Sequence, residues 1–138
     1  MRVFLDANVL ISAFSPGTVA NRLLEFVLTR HDLVLGLCVL NETRRILVEK
    51  FGANKLLVEI FLDGLLTYAV RVEPIPPVAI SRGLRDPDDE VVLASAILGL
   101  AEVLVTRDKD LLEEATRFAG EIIIRSPAAF IESYKANA

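Results

Sequence analysis

Acidic side chains fall at four separated points of the chain: Asp6, Glu42, the run Asp86, Asp88, Asp89 and Glu90, and Asp108 with Asp110 close behind. Taken singly, each suits a helix N-cap or a first helical turn, and Glu42 suits an ion pair with Arg44 or Arg45. Gathered in one place they would repel, and they would stay ionised there only around a bound positive charge. Carboxylate oxygens are hard donors of the kind that magnesium and manganese prefer, and such ions keep coordination positions open for water and phosphate. A site of this type lowers the pKa of water, aligns it for in-line attack and stabilises charge on phosphorus oxygens. The available chemistry is thus phosphoester hydrolysis or phosphoryl transfer, if the fold brings the four points together. The single cysteine, Cys38, and the single histidine, His31, exclude an intrachain disulfide, zinc fingers and multi-histidine metal sites, and both read as structural or surface residues.

The elements that must position these acids follow from the apolar pattern. Val3-Phe4-Leu5 is a continuously apolar run, as expected of a strand buried on both faces, and it stops at Asp6. Asn8 to Phe14 reads as a short helix that Ser15-Pro16-Gly17 breaks. Thr18 caps a second helix reaching about Thr29, with Val19, Leu23, Phe26 and Val27 at helical spacing. Leu33-Val34-Leu35 is the next strand. A helix from about Cys38 to Phe51 ends at Gly52, and another covers roughly Asn54 to Tyr68 with Leu57, Ile60, Phe61 and Leu65 inward. Ala69 to Val72 is a third strand, and Pro74, Pro76 and Pro77 make an extended connector after it. Asp86-Pro87 opens a helix to about Leu100, Val103-Leu104-Val105 is a fourth strand, Leu111 to Phe118 a helix, Ile122-Ile123-Ile124 a fifth strand, and Ser126-Pro127 starts a last helix. Strands alternating with helices predict a three-layer α/β/α sandwich around a parallel sheet of about five strands.

In open sheets of this class, ligands bind beyond the carboxyl ends of the strands. Asp6 directly follows the first strand, and Asp108 follows the fourth after Thr106 and Arg107. Glu42 shares a helix face with Val39 and Ile46. Asp89 lies in line with Leu93, Ala96 and Leu100, whereas Glu90 lies in line with Ala94 and Ile97, so periodicity does not choose between them. Asn8 and Thr106 supply an amide and a hydroxyl able to orient a carboxylate, a water or a phosphate. Arg82, Arg85, Arg107 and Lys109 flank the acids and are the candidate clamps for a phosphate backbone.

With 138 residues, 53% hydrophobic and 25% charged, the chain is expected to form one domain, residues 1–138, without repeats or low-complexity segments. The formal net charge of −4 means that any nucleic-acid contact has to be local. Only three apolar residues follow Met1-Arg2, and no apolar run is long enough for a bilayer, so the expectation is a soluble, cytoplasmic protein with no membrane partner.

Four stretches, in this order, resemble the PIN domain family of metal-dependent ribonucleases, and in particular its short single-domain members paired with antitoxins. They are Val3-Phe4-Leu5-Asp6-Ala7-Asn8-Val9-Leu10, the helix with Asn41-Glu42, Arg85-Asp86-Pro87-Asp88-Asp89-Glu90 leading into Leu93-Ala94, and Val105-Thr106-Arg107-Asp108-Lys109-Asp110-Leu111. The likeness runs to about Phe130. It implies a PIN-like sandwich, Mg²⁺ or Mn²⁺ as cofactor, and cleavage of RNA by the toxin of a toxin–antitoxin pair. By motif match Asp6, Glu42 and Asp108 take metal-ligand and catalytic positions, with Asp89 as the fourth because aspartate is the family's residue type there. Glu90, Asp86 and Asp110 are further possible ligands. Ala7 departs from the hydroxyl residue often found between the first Asp and Asn. The resemblance also implies a homodimer and a small antitoxin partner.

Two other functions use parts of the same pattern. One is a magnesium-dependent phosphotransfer domain, against which stand the lack of a phosphoacceptor aspartate after the middle strands and of a lysine ending the fifth. The other is a catalytically silent module that binds RNA or protein.

Overall fold

Apart from an exposed charged residue at the start of two of them, Arg2 and Asp32, the three central strands are apolar because helices cover them on both faces, and they set the frame for everything else. The computed structural model describes residues 1–77 and 82–134; residues 78–81 of the predicted connector, and 135–138, lie outside the described residues. Five strands, β1 (Arg2–Leu5), β2 (Asp32–Gly36), β3 (Arg71–Glu73), β4 (Val103–Val105) and β5 (Ile123–Arg125), form one parallel sheet in the order β3-β2-β1-β4-β5. Val3, Phe4, Leu5, Val34, Leu35, Val103, Leu104 and Val105 are all fully buried within it. Each side chain of this size stabilises the fold by roughly 1.5–3 kcal/mol through lost water contact.

The helices are α1 (Ala7–Ala13), α2 (Val19–Arg30), α3 (Leu37–Arg45), α4 (Lys55–Tyr68), α5 (Pro87–Leu98), α6 (Lys109–Glu113), α7 (Ala115–Phe118) and α8 (Pro127–Tyr134). Thr18, Asn54, Asp86 and Asp108 cap their helices with side-chain oxygens that accept N–H groups of the first turn. From β1 the chain steps outward to β2 and β3, then returns across the sheet to β4 on the other side of β1, with α5 packed on β2 and β3 on the way. Right-handed crossovers in opposite directions put helices on both faces, the predicted three-layer arrangement. The reversal leaves a crevice between the carboxyl ends of β1 and β4.

Several predicted details need correction. The helix expected from Cys38 to Phe51 is α-helical only to Arg45; Ile46–Lys50 is a π turn, closed by the Phe51 N–H donating to the Ile46 carbonyl at 3.1 Å. Gly52 does end it, at φ +64°. On α4 the buried residues are Val58, Leu62 and Leu65, while Leu57 and Ile60 are 55% and 58% exposed. Its apolar residues run nearly all round the helix, so their period fixes no inward phase. Val19 is exposed rather than packed. The third strand begins at Arg71 and not Ala69, the fifth at Ile123, and the predicted Leu111–Phe118 helix is two short helices parted at Glu114.

Candidate metal centre

Asp6 leaves β1 with its carboxylate turned back into the crevice. Its Oδ1 accepts the Ala7 N–H at 2.7 Å, and its Oδ2 accepts the Thr106 hydroxyl at 2.7 Å and lies 3.5 Å from the Asn8 amide nitrogen. Thr106, fully buried at the end of β4, also accepts the Asp108 N–H at 3.0 Å. Asn8 closes the arrangement by accepting the Arg107 N–H at 3.0 Å. The turns after β1 and β4 are thus stitched together by a hydroxyl and an amide. Asp108 caps α6 through Oδ1, which accepts the Leu111 N–H at 3.1 Å.

The third acid comes from the first turn of α5, where two buried neighbours have different surroundings. Glu90 turns towards the chain before the helix and accepts the Arg82 N–H, 3.0 Å from each of its carboxylate oxygens, and the Leu84 N–H at 2.9 Å. Asp89 is 6% exposed, and its Oδ2 is buried without a hydrogen-bond partner among the described residues. An orphaned, buried carboxylate oxygen is costly unless the group takes up a proton or a cation satisfies it. One oxygen from each of Asp89, Asp108 and Asp110 lies within 4.8 Å of the others.

Glu42 reaches the same region from α3. Asp6, Glu42, Asp86, Asp88, Asp89 and Asp108 together line a cleft of about 150 Å³. Burial pushes the Asp89 carboxyl up to about 7, aided by the charges of Asp108, Asp86, Asp6 and Asp110. Burial likewise raises Asp6 against the opposing hydrogen bonds from Thr106 and Ala7, with Asp108 adding to the rise. For Glu42 burial is again the main cause, reinforced by Asp6, Asp88 and Asp86 and opposed by Arg45. Three carboxyls displaced upward in one cleft mark it as a place where a bound cation would relieve both burial and mutual repulsion. The donors are all hard oxygens, so the residues fit a magnesium- or manganese-sized ion and not a soft metal.

The remaining sequence candidates divide. Asp86 lines the cleft and also caps α5 by accepting the Asp88 N–H at 2.9 Å. Asp110 sits in the close acidic group but is ion-paired to Arg85 at 2.9 Å. Arg85 also approaches Glu113, and Arg107 donates to the Ser12 hydroxyl. Arg82 and Lys109 do not line the cleft, and neither do Arg85 and Arg107. A further cation at the site is Arg45, which the sequence marks only as an ion-pair partner for Glu42. It stands three residues beyond Glu42 and lines an adjoining chamber with it. Asp88, read as a first-turn acid, also lines the cleft. The signal for Arg45 was its i,i+3 spacing from Glu42, which places both on one helix flank.

No curated protein sequence matches this chain. Among solved structures, a chain from the crystal structure of VapBC2 from Rickettsia felis bound to a DNA fragment from their promoter is similar in fold, with a TM-score of 0.60 and 17% identity, over 91% of this chain and 98% of that one. The family model for the PIN domain matches residues 2–110, a span that contains Asp6, Glu42, Asp89 and Asp108. On that match, the chain belongs to the PIN domain family.

Proposed function

We propose that this protein is a divalent-metal-dependent endoribonuclease, hydrolysing RNA phosphodiester bonds with Mg²⁺ or Mn²⁺, and the toxin of a toxin–antitoxin pair. The observation that carries the reading is the Asp89 oxygen, buried without a partner beside acids from three other segments. On this reading Asp6, Glu42, Asp89 and Asp108 hold the ion, with Asp110 and Asp86 at its edge. When bound, the ion supplies Lewis acidity for the attacking water and the scissile phosphate. Thr106 and Asn8 hold the Asp6 carboxylate in a fixed orientation, so that little reorganisation is needed as charge develops. Glu90 has a different task, fixing the approach to α5 so that Asp89 keeps its direction.

The toxin assignment rests on the resemblance to short PIN proteins paired with antitoxins. An exposed apolar surface on α4, formed by Leu56, Leu57 and Ile60, supports a protein partner, whether the antitoxin or a second copy in a homodimer. No helix among the described residues is long and apolar enough to cross a membrane. A cytoplasmic protein of one domain over residues 1–138 completes the proposal. The test is incubation of purified protein with RNA and Mn²⁺. Cleavage that chelation stops and that Asp6→Asn removes is expected. A folded wild-type protein that leaves RNA intact overturns it.

A further inference from the structure

Beside the acidic cleft lies a second chamber of about 300 Å³, lined by Cys38, Asn41, Glu42, Arg45, Asp88, Val91 and Val92. The two share Glu42, Asp88 and Val92, so they are parts of one groove. The chamber has walls of two kinds. Val91, Val92 and the Cys38 side chain form an apolar side, Asn41 and Arg45, from one flank of α3, a donor side, and Glu42 and Asp88 the acidic edge shared with the cleft. Its volume is at the lower end of that of small-molecule sites and suits a single nucleotide.

The polar wall has a defined hydrogen-bonding sense. Arg44 is ion-paired to Glu59, and its Nη1 donates to the Asn41 Oδ1 at 3.3 Å. This relay uses the amide oxygen and leaves the Asn41 NH₂ group as the available donor. Arg45 has no salt bridge among the described residues, unlike its neighbour Arg44, and the acid on α3 is Glu42, on which it acts electrostatically. A guanidinium held by no close ion pair beside an acidic cleft suits a phosphate that has to pass strong negative charge.

We propose that this chamber is a nucleotide subsite of the nuclease: it takes the RNA residue next to the scissile phosphate, Arg45 binding a flanking phosphate and Asn41 donating to an acceptor on the base. The inference rests on the ribonuclease reading above and adds to it where sequence preference arises. Single-stranded RNA is read through exposed base edges set against apolar walls, and this chamber offers both features.

The test compares wild type, Asn41→Ala and Arg45→Gln. Cleavage ends in a mixed RNA pool are mapped with Mn²⁺, and binding of a fluorescent single-stranded RNA is followed by anisotropy without metal. Asn41→Ala is expected to flatten the base preference on one side of the cut. Arg45→Gln is expected to raise KM by about tenfold with kcat close to wild type, the mark of lost uniform binding through one charge-assisted contact. If the wild type cleaves and both variants keep its preference and KM, the subsite is overturned while the nuclease stands. If the wild type binds RNA without cutting it and Arg45→Gln weakens that binding about tenfold, the chamber is an RNA-binding site only, and the nuclease reading falls together with the placement beside a scissile phosphate. Neither cleavage nor binding by folded protein overturns both.

Discussion

The Thr106 hydroxyl donates to the Asp6 carboxylate at 2.7 Å while accepting the Asp108 N–H at 3.0 Å, so one buried oxygen couples the acids that follow β1 and β4. Thr106→Val keeps the shape of the side chain and removes both links. It is expected to cost about 1–3 kcal/mol in denaturant unfolding, because a buried carboxylate oxygen and an N–H lose their partner. Metal-dependent cleavage is expected to fall with it, and Thr106→Ser, which restores the hydroxyl, to recover both. Equal stability and activity in Thr106→Val would show that the coupling has no role.

Asp89 is a burden on the metal-free fold. Asp89→Asn removes a charge that is buried beside Asp108 and Asp86 while leaving volume nearly unchanged. At pH 8 and without metal, the variant is expected to be more stable than wild type by roughly 1–3 kcal/mol, and the gain is expected to be markedly smaller at pH 5, where the folded wild-type carboxyl is protonated, and to be gone only below the ordinary value of 3.8. Millimolar Mg²⁺, which raises the melting temperature of a protein that binds it only when native, is expected to raise that of wild type and not of the variant. Calorimetry in the two buffers decides it.

The same displacement sets a pH slope. The Asp89 carboxyl titrates at about 7 in the folded chain against 3.8 for its ordinary value, and Asp6 and Glu42 are raised as well. Between these limits the folded protein holds more protons than the unfolded one, so stability is lost as pH rises from about 4 to about 7. The metal-free protein is therefore expected to be less stable at pH 7.5 than at pH 5 if these acids dominate the slope. Bound Mg²⁺ is expected to flatten or reverse it, since ligation requires the deprotonated carboxylates. Urea titrations at several pH values, with and without metal, measure both slopes. A metal-free protein whose stability rises steadily over this range would contradict the raised values.

Much of this arrangement is legible in the sequence, because apolar triplets alternating with amphipathic stretches leave few solutions other than a parallel sheet. Counting alone puts the acids after β1 and β4 at its carboxyl edge. The strand order was not available that way, since the return from β3 across to β4 is a tertiary choice. Nor was the inward face of α4, where Leu56, Leu57, Val58, Ile60, Phe61 and Leu62 offer apolar surface in almost every direction. For the same reason α5 could not separate Asp89 from Glu90: both face apolar neighbours, and the difference lies in the N–H groups of Arg82 and Leu84 that only one of them reaches.

That difference gives a direct test. Glu90→Ala strips the acceptor from the Arg82 and Leu84 N–H groups and is expected to cost about 1–3 kcal/mol. Because Glu90 does not line the acidic cleft, the variant is expected to keep a Mg²⁺-induced rise in melting temperature, unlike Asp89→Asn. If Glu90→Ala loses the metal response and Asp89→Asn keeps it, the two residues exchange roles.

The end of α5 shows how packing overrides local preference. Leu100 sits at φ +60°, the left-handed conformation that glycine ordinarily supplies after a helix, while glycine stands one position earlier, at 99. A Cβ on Gly99 would fall 2.9 Å from Val34 Cγ1 and 3.0 Å from the Ser95 carbonyl oxygen, so the close approach of α5 to β2 claims the glycine. Leu100, 59% exposed, then bears the steric cost of the left-handed turn with little burial to offset it. Leu100→Gly is expected to stabilise the protein by about 1 kcal/mol, and Gly99→Ala to destabilise it through the clash with Val34. Equilibrium unfolding of the two variants checks the pair. A stabilised Gly99→Ala would mean that α5 can shift away from β2 without loss, and that the acids at its first turn are held less firmly than their buried positions imply.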